Sequence, residues 1–370
     1  MKVLFVAHYI SEKINRDILQ ELAKIDSVEL SAITVDWYSK QKENKNKNYN
    51  LFIEKTVFGP HLYRYFFFPP LFLKILKIKP DIVFCDQEAG CVSTLQSLLW
   101  AKVCGAKFCF RSYENIFLKR RFPISLVEVL VLRFADSAIA GDQTIAEVIM
   151  EKGFKKNIFI AELGLSLEKF GKKSVPGLKK KLGIDKFAIA YFGRLTPEKS
   201  VETLFKASAL LKFEHKIVID EFFAEPKYKE ELIELAKKKG IFERIIFVNP
   251  KHIEMPEYYN AIDVVVVPSK DTTRWKEQFG RTIIESMACG VCVIGSDSGS
   301  IPDVIGNAGL IFEQENKQDL AGKLSIIYKD EELREKFKAM GVKRVKENFT
   351  WEKIAKKLFD AFAQTLKQRD

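Results

Sequence analysis

Short apolar, β-branched runs alternate with amphipathic stretches along nearly the whole chain. In the first half, KVLFVAHY, VELSAITV, DIVFCD, AKFCFR, DSAIAG and NIFIAEL read as strands, and helical spacing of apolar residues falls at 12–25, 71–78, 92–104, 124–134 and 142–152. Strands separated by helices in this way are βαβ units, which predict a parallel sheet covered by helices on both faces. The rhythm pauses over 163–185, where a charge cluster, Gly and Pro without apolar period read as an interdomain linker and a short helix. A second series follows: FAIAYFG, a helix from Pro197, KIVIDEF, a helix at 227–238, RIIFVN, a helix at 255–261, DVVVVPS, a helix from about 280, VCVIGSD and GLIF. The remainder is helical, at 317–329, 331–347 and 350–367, with Thr350 as the expected N-cap of the last. The expected class is therefore α/β, with two doubly wound, Rossmann-like halves. Their predicted bounds are 1–168 and 169–350, and 351–370 is a helix crossing back to the first half. The tract QKENKNKNYN (41–50) reads as a solvated loop.

Composition narrows the function classes. The chain has 370 residues, enough for two cores, and 47% hydrophobic with 29% charged residues is a globular balance. Its net charge of +11 is evenly spread: residues 1–170 hold 24 Lys+Arg against 19 Asp+Glu, and the rest 36 against 30. Neither half is a basic module, which speaks for anionic ligands and against a nucleic-acid face. No apolar run reaches the ~20 residues of a spanning helix, and the N-terminus lacks a signal peptide's long apolar stretch. A cytoplasmic protein is expected. The six cysteines lie in hydrophobic surroundings and read as reduced thiols; none of the four histidines has metal-ligand spacing, so no metal is expected.

Two segments can carry chemistry. In Tyr191-Phe-Gly-Arg-Leu-Thr-Pro-Glu-Lys199 a strand ends at Gly193, and Thr196 and Pro197 suit a helix start, which places Arg194 and Lys199 at the carboxyl edge of the sheet. Ligands of open α/β sheets bind at that edge. A lysine in a first turn opposes the helix dipole, a choice that an anion such as diphosphate would reward; two solvated cations are the plainer alternative. The second segment, from Trp275 to Gly290, follows the strand DVVVVPS. Gly280 near a helix start lets backbone amides approach a phosphate, while Glu277 and Glu285 can accept hydrogen bonds from sugar hydroxyls. Glutamates gaining from the dipole are the alternative.

Glu277 and Glu285 resemble the E-x7-E element of retaining glycosyltransferases of the GT-B fold, family 4. YFGRLTPEKS is similar to that family's G-R-L-x-x-E-K-G. AELGLSLEKF (161–170) and ACGVCVIGSDSGSIPDVIGNAGLIF resemble its other segments in the same order, so the likeness spans most of the chain. WKEQFGR, SDSGSIP and SYENI look like bacterial enzymes that build cell-surface polysaccharide. The resemblance implies two domains facing a cleft, a nucleotide-sugar donor with UDP favoured over GDP, and a glycan or lipid-linked acceptor. It implies no cofactor, and no metal because cations and a helix N-terminus supply the charge stabilisation. Arg194 and Lys199 would clamp the diphosphate. Glu277 would hold the transferred sugar and Glu285 the ribose, with Gly280, Arg281 and Thr282 at the phosphate. Phe279 and Gly193 would line the donor site, and Val248 and Asn249 would meet the base.

The chain departs from the family at Ser200, Cys292 and Asp303, which replace Gly, Pro and Glu. In the first half, AHYISEK replaces a glycine-rich loop, and Arg111-Ser-Tyr-Glu114-Asn115 stands where many relatives carry a histidine. His8, Glu114 and Asn115 are therefore the candidates for acceptor or sugar contacts, with packing at a strand end as the alternative for His8. The basic, aromatic segment Tyr63–Lys79 and the triplet Lys119, Arg120 and Arg121 are compatible with a peripheral site on an anionic membrane; a half-buried helix is the plainer reading of the first. Competing functions are an epimerase of the same fold, against which the E-x-F-G element counts, and a non-catalytic nucleotide-sugar binder. A dinucleotide oxidoreductase is excluded because no strand is followed by G-x-G-x-x-G.

Overall fold

The computed structural model describes residues 1–37, 43–45, 48–67 and 70–368. The chain divides into two compact units, one of Met1–Gly164 with Trp351–Asp370 and one of Leu165–Thr350.

The first unit is built on an eight-stranded sheet in the order Asn157–Ile160, Ser137–Ala140, Lys107–Ser112, Ile82–Cys85, Lys2–Val6, Glu29–Val35, Asn50–Glu54, Glu43–Lys45. Seven of these strands run parallel, and only Glu43–Lys45 pairs antiparallel, at the edge. Both faces are covered, which is why central strands such as Lys2–Val6 and Ile82–Cys85 are nearly continuous apolar runs rather than alternating ones. One face packs under Pro70–Ile78, Val92–Val103, Ile124–Phe134 and Gln143–Glu151. The other face packs under Asp17–Leu22 and the final helix Trp351–Lys367, which buries Ile354, Leu358 and Phe362 against Val3, Phe5 and Phe84. Gly164 is pressed on the Trp351 indole: a Cβ there would lie 2.8 Å from the ring, so the chain enters that helix where only glycine fits.

Two readings of this half need correction. The helix expected at 12–25 is two 3₁₀ turns, Tyr9–Ser11 and Lys13–Asn15, and a short helix Asp17–Leu22. Buried Arg16 is the reason, because its Nε donates to the Ile10 carbonyl at 2.8 Å and its other nitrogen to that of Ser11 at 2.6 Å, folding the chain back on itself. The polar tract 41–50 contains strand Glu43–Lys45 and the first residue of Asn50–Glu54; 41–42 and 46–47 lie outside the described residues. Residue 69 of the Pro-Pro pair also lies outside them, and the helix that follows runs Pro70–Ile78.

The second unit has a six-stranded, all-parallel sheet in the order Ile245–Val248, His215–Asp220, Phe187–Tyr191, Val264–Val267, Cys292–Ser296, Leu310–Phe312. The first strand in sequence, Phe187–Tyr191, is central, its successors add on one side, and the chain then returns to add Val264–Val267 on the other. That reversal opens a crevice at the carboxyl ends of Phe187–Tyr191 and Val264–Val267. The first unit has the same reversal between Lys2–Val6 and Ile82–Cys85.

Candidate active site

The donor candidates meet where the second sheet reverses. Lys199 follows Phe187–Tyr191 and Glu277 follows Val264–Val267, and Lys199 Nζ donates to Glu277 Oε2 at 2.6 Å. Ser269 Oγ donates to the same carboxylate oxygen at 2.8 Å, and the ammonium sits 4.5 Å from the centre of the Trp275 ring. The lysine is not in an α-helical turn as expected. Pro197–Lys199 is a 3₁₀ turn, and Ser200 adopts φ 51° before Val201–Ser208 begins; this kink replaces the capping expected of Thr196, whose hydroxyl instead donates to Glu198. Arg194 is half-exposed and lies 3.9 Å from Glu198.

The backbone of Glu277 is held as firmly as its side chain. Ser300 N–H donates to its carbonyl at 3.0 Å, and a Cβ on Gly299 would lie 2.2 Å from that oxygen. Only glycine allows the loop after Cys292–Ser296 to lie flat on Glu277. Gly280 caps the helix Arg281–Ala288 at φ 74°, with a would-be Cβ 2.8 Å from Ile283, so the amides of this turn are approached without a side chain in the way. Thr282 Oγ1 donates to the Phe192 carbonyl at 3.2 Å and ties the helix start to the strand that ends beside Gly193. Phe279 is buried edge-on against Phe349.

Glu285, buried in the second turn of that helix, accepts from Tyr259 Oη at 2.8 Å, and lies 3.5 Å from Arg281 and 3.6 Å from His252. Burial and this carboxylate hold the Tyr259 phenol well above its ordinary range, so it remains a donor. Val248 is the buried end of its strand and Asn249 is exposed just beyond it. Sequence reasoning missed Ser269, Tyr259, Gly299 and Asp220. The last terminates His215–Asp220 next to Gly193, accepting from the backbone N–H of Phe222 and of Gly193, and burial pushes its carboxyl up to about 6.

In the first unit, the corresponding edge holds a closed polar cluster. Tyr9 Oη donates to Asp86 Oδ2 at 2.6 Å, Tyr113 Oη to Oδ1 at 2.9 Å, and fully buried Arg111 bonds Asp86 and Tyr113 at 3.2 Å each. His8 lies next to it, 3.3 Å from Gln87, with its imidazole pushed down by burial. Glu114 is engaged by Tyr63, Arg120 and Lys152, which leaves its carboxylate committed within the unit; Asn115 is buried. His8 and Glu114 thus have different partners, Gln87 for the first and Tyr63, Arg120 and Lys152 for the second. Among the described residues no three His, Cys, Asp or Glu side chains gather as metal ligands.

Residues 176–344 match the family described as glycosyl transferases group 1. Curated relatives include the D-inositol 3-phosphate glycosyltransferase of Salinispora tropica, 27% identical over 49% of this chain and 39% of the relative. Another is the O-antigen chain mannosyltransferase B of Escherichia coli, 27% identical over 46% of this chain and 44% of the relative. The chain spans less than half the length of these relatives. Among solved structures, a glycosyltransferase from Rickettsia africae aligns with TM-score 0.77 at 19% identity, over 100% of this chain and 99% of that one. Anabaena HepE in complex with UDP aligns with TM-score 0.76 at 17% identity, over 98% and 100%. The sucrose-phosphate synthase of Thermosynechococcus elongatus gives 0.74 at 18%, over 98% of each. The chain has the GT-B fold of these proteins, with two Rossmann-like domains.

Proposed function

We propose that this protein is a retaining glycosyltransferase of the family 4 type, which moves a hexose from a nucleoside diphosphate sugar to a glycan or lipid-linked acceptor. The observation that carries the reading is the Lys199–Glu277 pair at the reversal of the second sheet, beside Arg194 and the helix start at Gly280. A diphosphate arriving there meets two cations and free backbone amides. Lys199 exchanges its carboxylate partner for phosphate oxygens, and Glu277 is released to accept from sugar hydroxyls and to face the positive charge that develops on the anomeric carbon. Glu285, already oriented by Tyr259, accepts from the ribose diol. The group 1 family match over residues 176–344 supports this assignment of the donor to the second unit.

In the transfer, the bond from the anomeric carbon to the phosphate oxygen breaks as the acceptor oxygen bonds to the same face of that carbon. The acceptor proton passes to the departing phosphate, so no protein nucleophile and no metal ion is required. The sheet edge at His8, beside the buried Asp86–Arg111 pair, is the place we assign to the acceptor. UDP-glucose is the first donor to try, because Anabaena HepE was solved with UDP and glucose.

The test is nucleoside diphosphate release from a panel of UDP- and GDP-sugars, with and without a lipid-linked glycan fraction. Release that requires the fraction, with the product's anomeric configuration retained, is expected. UDP formed equally well without any acceptor would favour an epimerase or hydrolase instead.

A further inference from the structure

Three neighbouring helices of the first unit are apolar on the wrong side. Val92–Val103 packs between Pro70–Ile78 and Ile124–Phe134, and all three bury an inner stripe in one core through Leu71, Ile75, Leu98, Ala101, Val131 and Leu132. A surface helix ordinarily turns polar residues outward. Here the outer stripes are Leu73 on the first helix, Leu99 and Val103 on the second, and Leu126 and Val129 on the third, each at least half exposed, with Phe122 80% exposed at the head of the third. The spacings 99/103 and 122/126/129 each define one helical face. Ile124–Phe134 is apolar nearly all round, the pattern of a helix that is covered on both sides.

The exposed charges carried by these helices and by the loop before the third have one sign. Lys77, Lys102, Lys119, Arg121 and Arg133 are exposed there. The single acidic residue in the three helices, Glu128, is paired with Lys152, which donates to it at 2.6 Å, and its side chain is 12% exposed. Asp136 at the end of the third helix is bonded by Lys102 and lies close to Lys107. Two copies of this face would set cations against cations, which disfavours self-association. Apolar side chains fringed by lysine and arginine match a bilayer whose headgroups are anionic, and helices of nine to twelve residues lie on such a surface rather than span it.

We propose that the outer face of helices Pro70–Ile78, Val92–Val103 and Ile124–Phe134 is a membrane-docking surface that inserts its apolar stripes between anionic phospholipids. The surface stands on its own observations and not on the transfer chemistry.

Flotation of the full chain with phosphatidylcholine vesicles, alone or mixed with phosphatidylglycerol, tests it. The protein is expected to float with the mixed vesicles, less so as salt rises, and poorly with phosphatidylcholine alone. Both side chains are exposed, so the double variant Leu126→Glu with Val129→Glu keeps the wild-type melting temperature and loses at least about tenfold in vesicle affinity. Arg121→Glu with Arg133→Glu weakens binding and flattens its salt dependence. The Glu277→Ala variant floats like wild type, which separates this proposal from the catalytic reading. Failure to float with anionic vesicles, undiminished flotation of both double variants, or a dimer in light scattering that Leu126→Glu dissolves would each overturn it.

Discussion

Lys199 Nζ and Glu277 Oε2 stand 2.6 Å apart although 78 residues separate them in the chain, because one follows each of the two strands that flank the reversal of the second sheet. Their side chains are only 14% and 10% exposed, so the unliganded site stores a nearly dry, neutral pair that an incoming diphosphate sugar separates. Lys199→Ala and Glu277→Ala are each expected to lower kcat/KM by about 10² or more, and the double variant by little beyond the worse single one, since the two act as a unit. Initial rates of nucleoside diphosphate release decide it; multiplicative losses would separate the two residues.

Gly299 is expected to tolerate no side chain. Gly299→Ala puts a methyl 2.2 Å from the Glu277 carbonyl oxygen at φ 49°, so the loop must move and take Glu277 with it. A rate loss of at least about tenfold and a cost of ~1–3 kcal/mol in stability are expected, from strain and displacement together. Gly240→Ala is the control: its φ of 67° carries similar strain but nothing lies within 4 Å, so stability falls and activity does not. Equal activities of the two variants would contradict the account of Gly299.

Asp220 gives the donor unit a signature in pH. Its carboxyl lies at about 6 folded against 3.8 unfolded, raised by burial despite the N–H donors of Phe222 and Gly193. The folded protein therefore binds this proton more tightly, and the stability it contributes is full below pH 3.8 and lost as pH rises to about 6. Asp220→Asn has no such window. The melting temperature of D220N minus that of wild type is expected to grow from pH 4 towards about 6 and then level off; a flat difference would place the Asp220 carboxyl in the ordinary range.

Arg111 is expected to matter first for stability. It and Asp86 are at most 1% exposed, and among the described residues removing the guanidinium leaves a buried carboxylate with the two tyrosines, Tyr9 and Tyr113, as side-chain donors. Arg111→Ala should cost ~3–5 kcal/mol, read as a lowered denaturation midpoint. A loss below 1 kcal/mol would mean that the cluster is hydrated and open.

Most strands and helices were legible because parallel strands buried on both faces, such as Val264–Val267 and Phe187–Tyr191, are unbroken apolar runs and the intervening helices are amphipathic. Asn50–Glu54 was missed because its three apolar residues follow directly on an asparagine-rich tract. Periodicity says nothing of strand order, so only the family resemblance could put Lys199 and Glu277 in one site. The supporting residues were invisible for another reason. Ser269, Tyr259, Asp220 and Gly299 act through contacts made between loops, and no local pattern marks a glycine pressed against a distant backbone.

Calorimetric titration of UDP, GDP, ADP and TDP into the wild-type protein and into its Lys199→Ala and Glu285→Ala variants tests the central claim most directly. Saturable binding of one nucleotide, weakened at least about tenfold in each variant, is the predicted result, since each loses a charge-assisted bond. Binding that is equally tight in all three proteins, or no binding of any of the four, would contradict it.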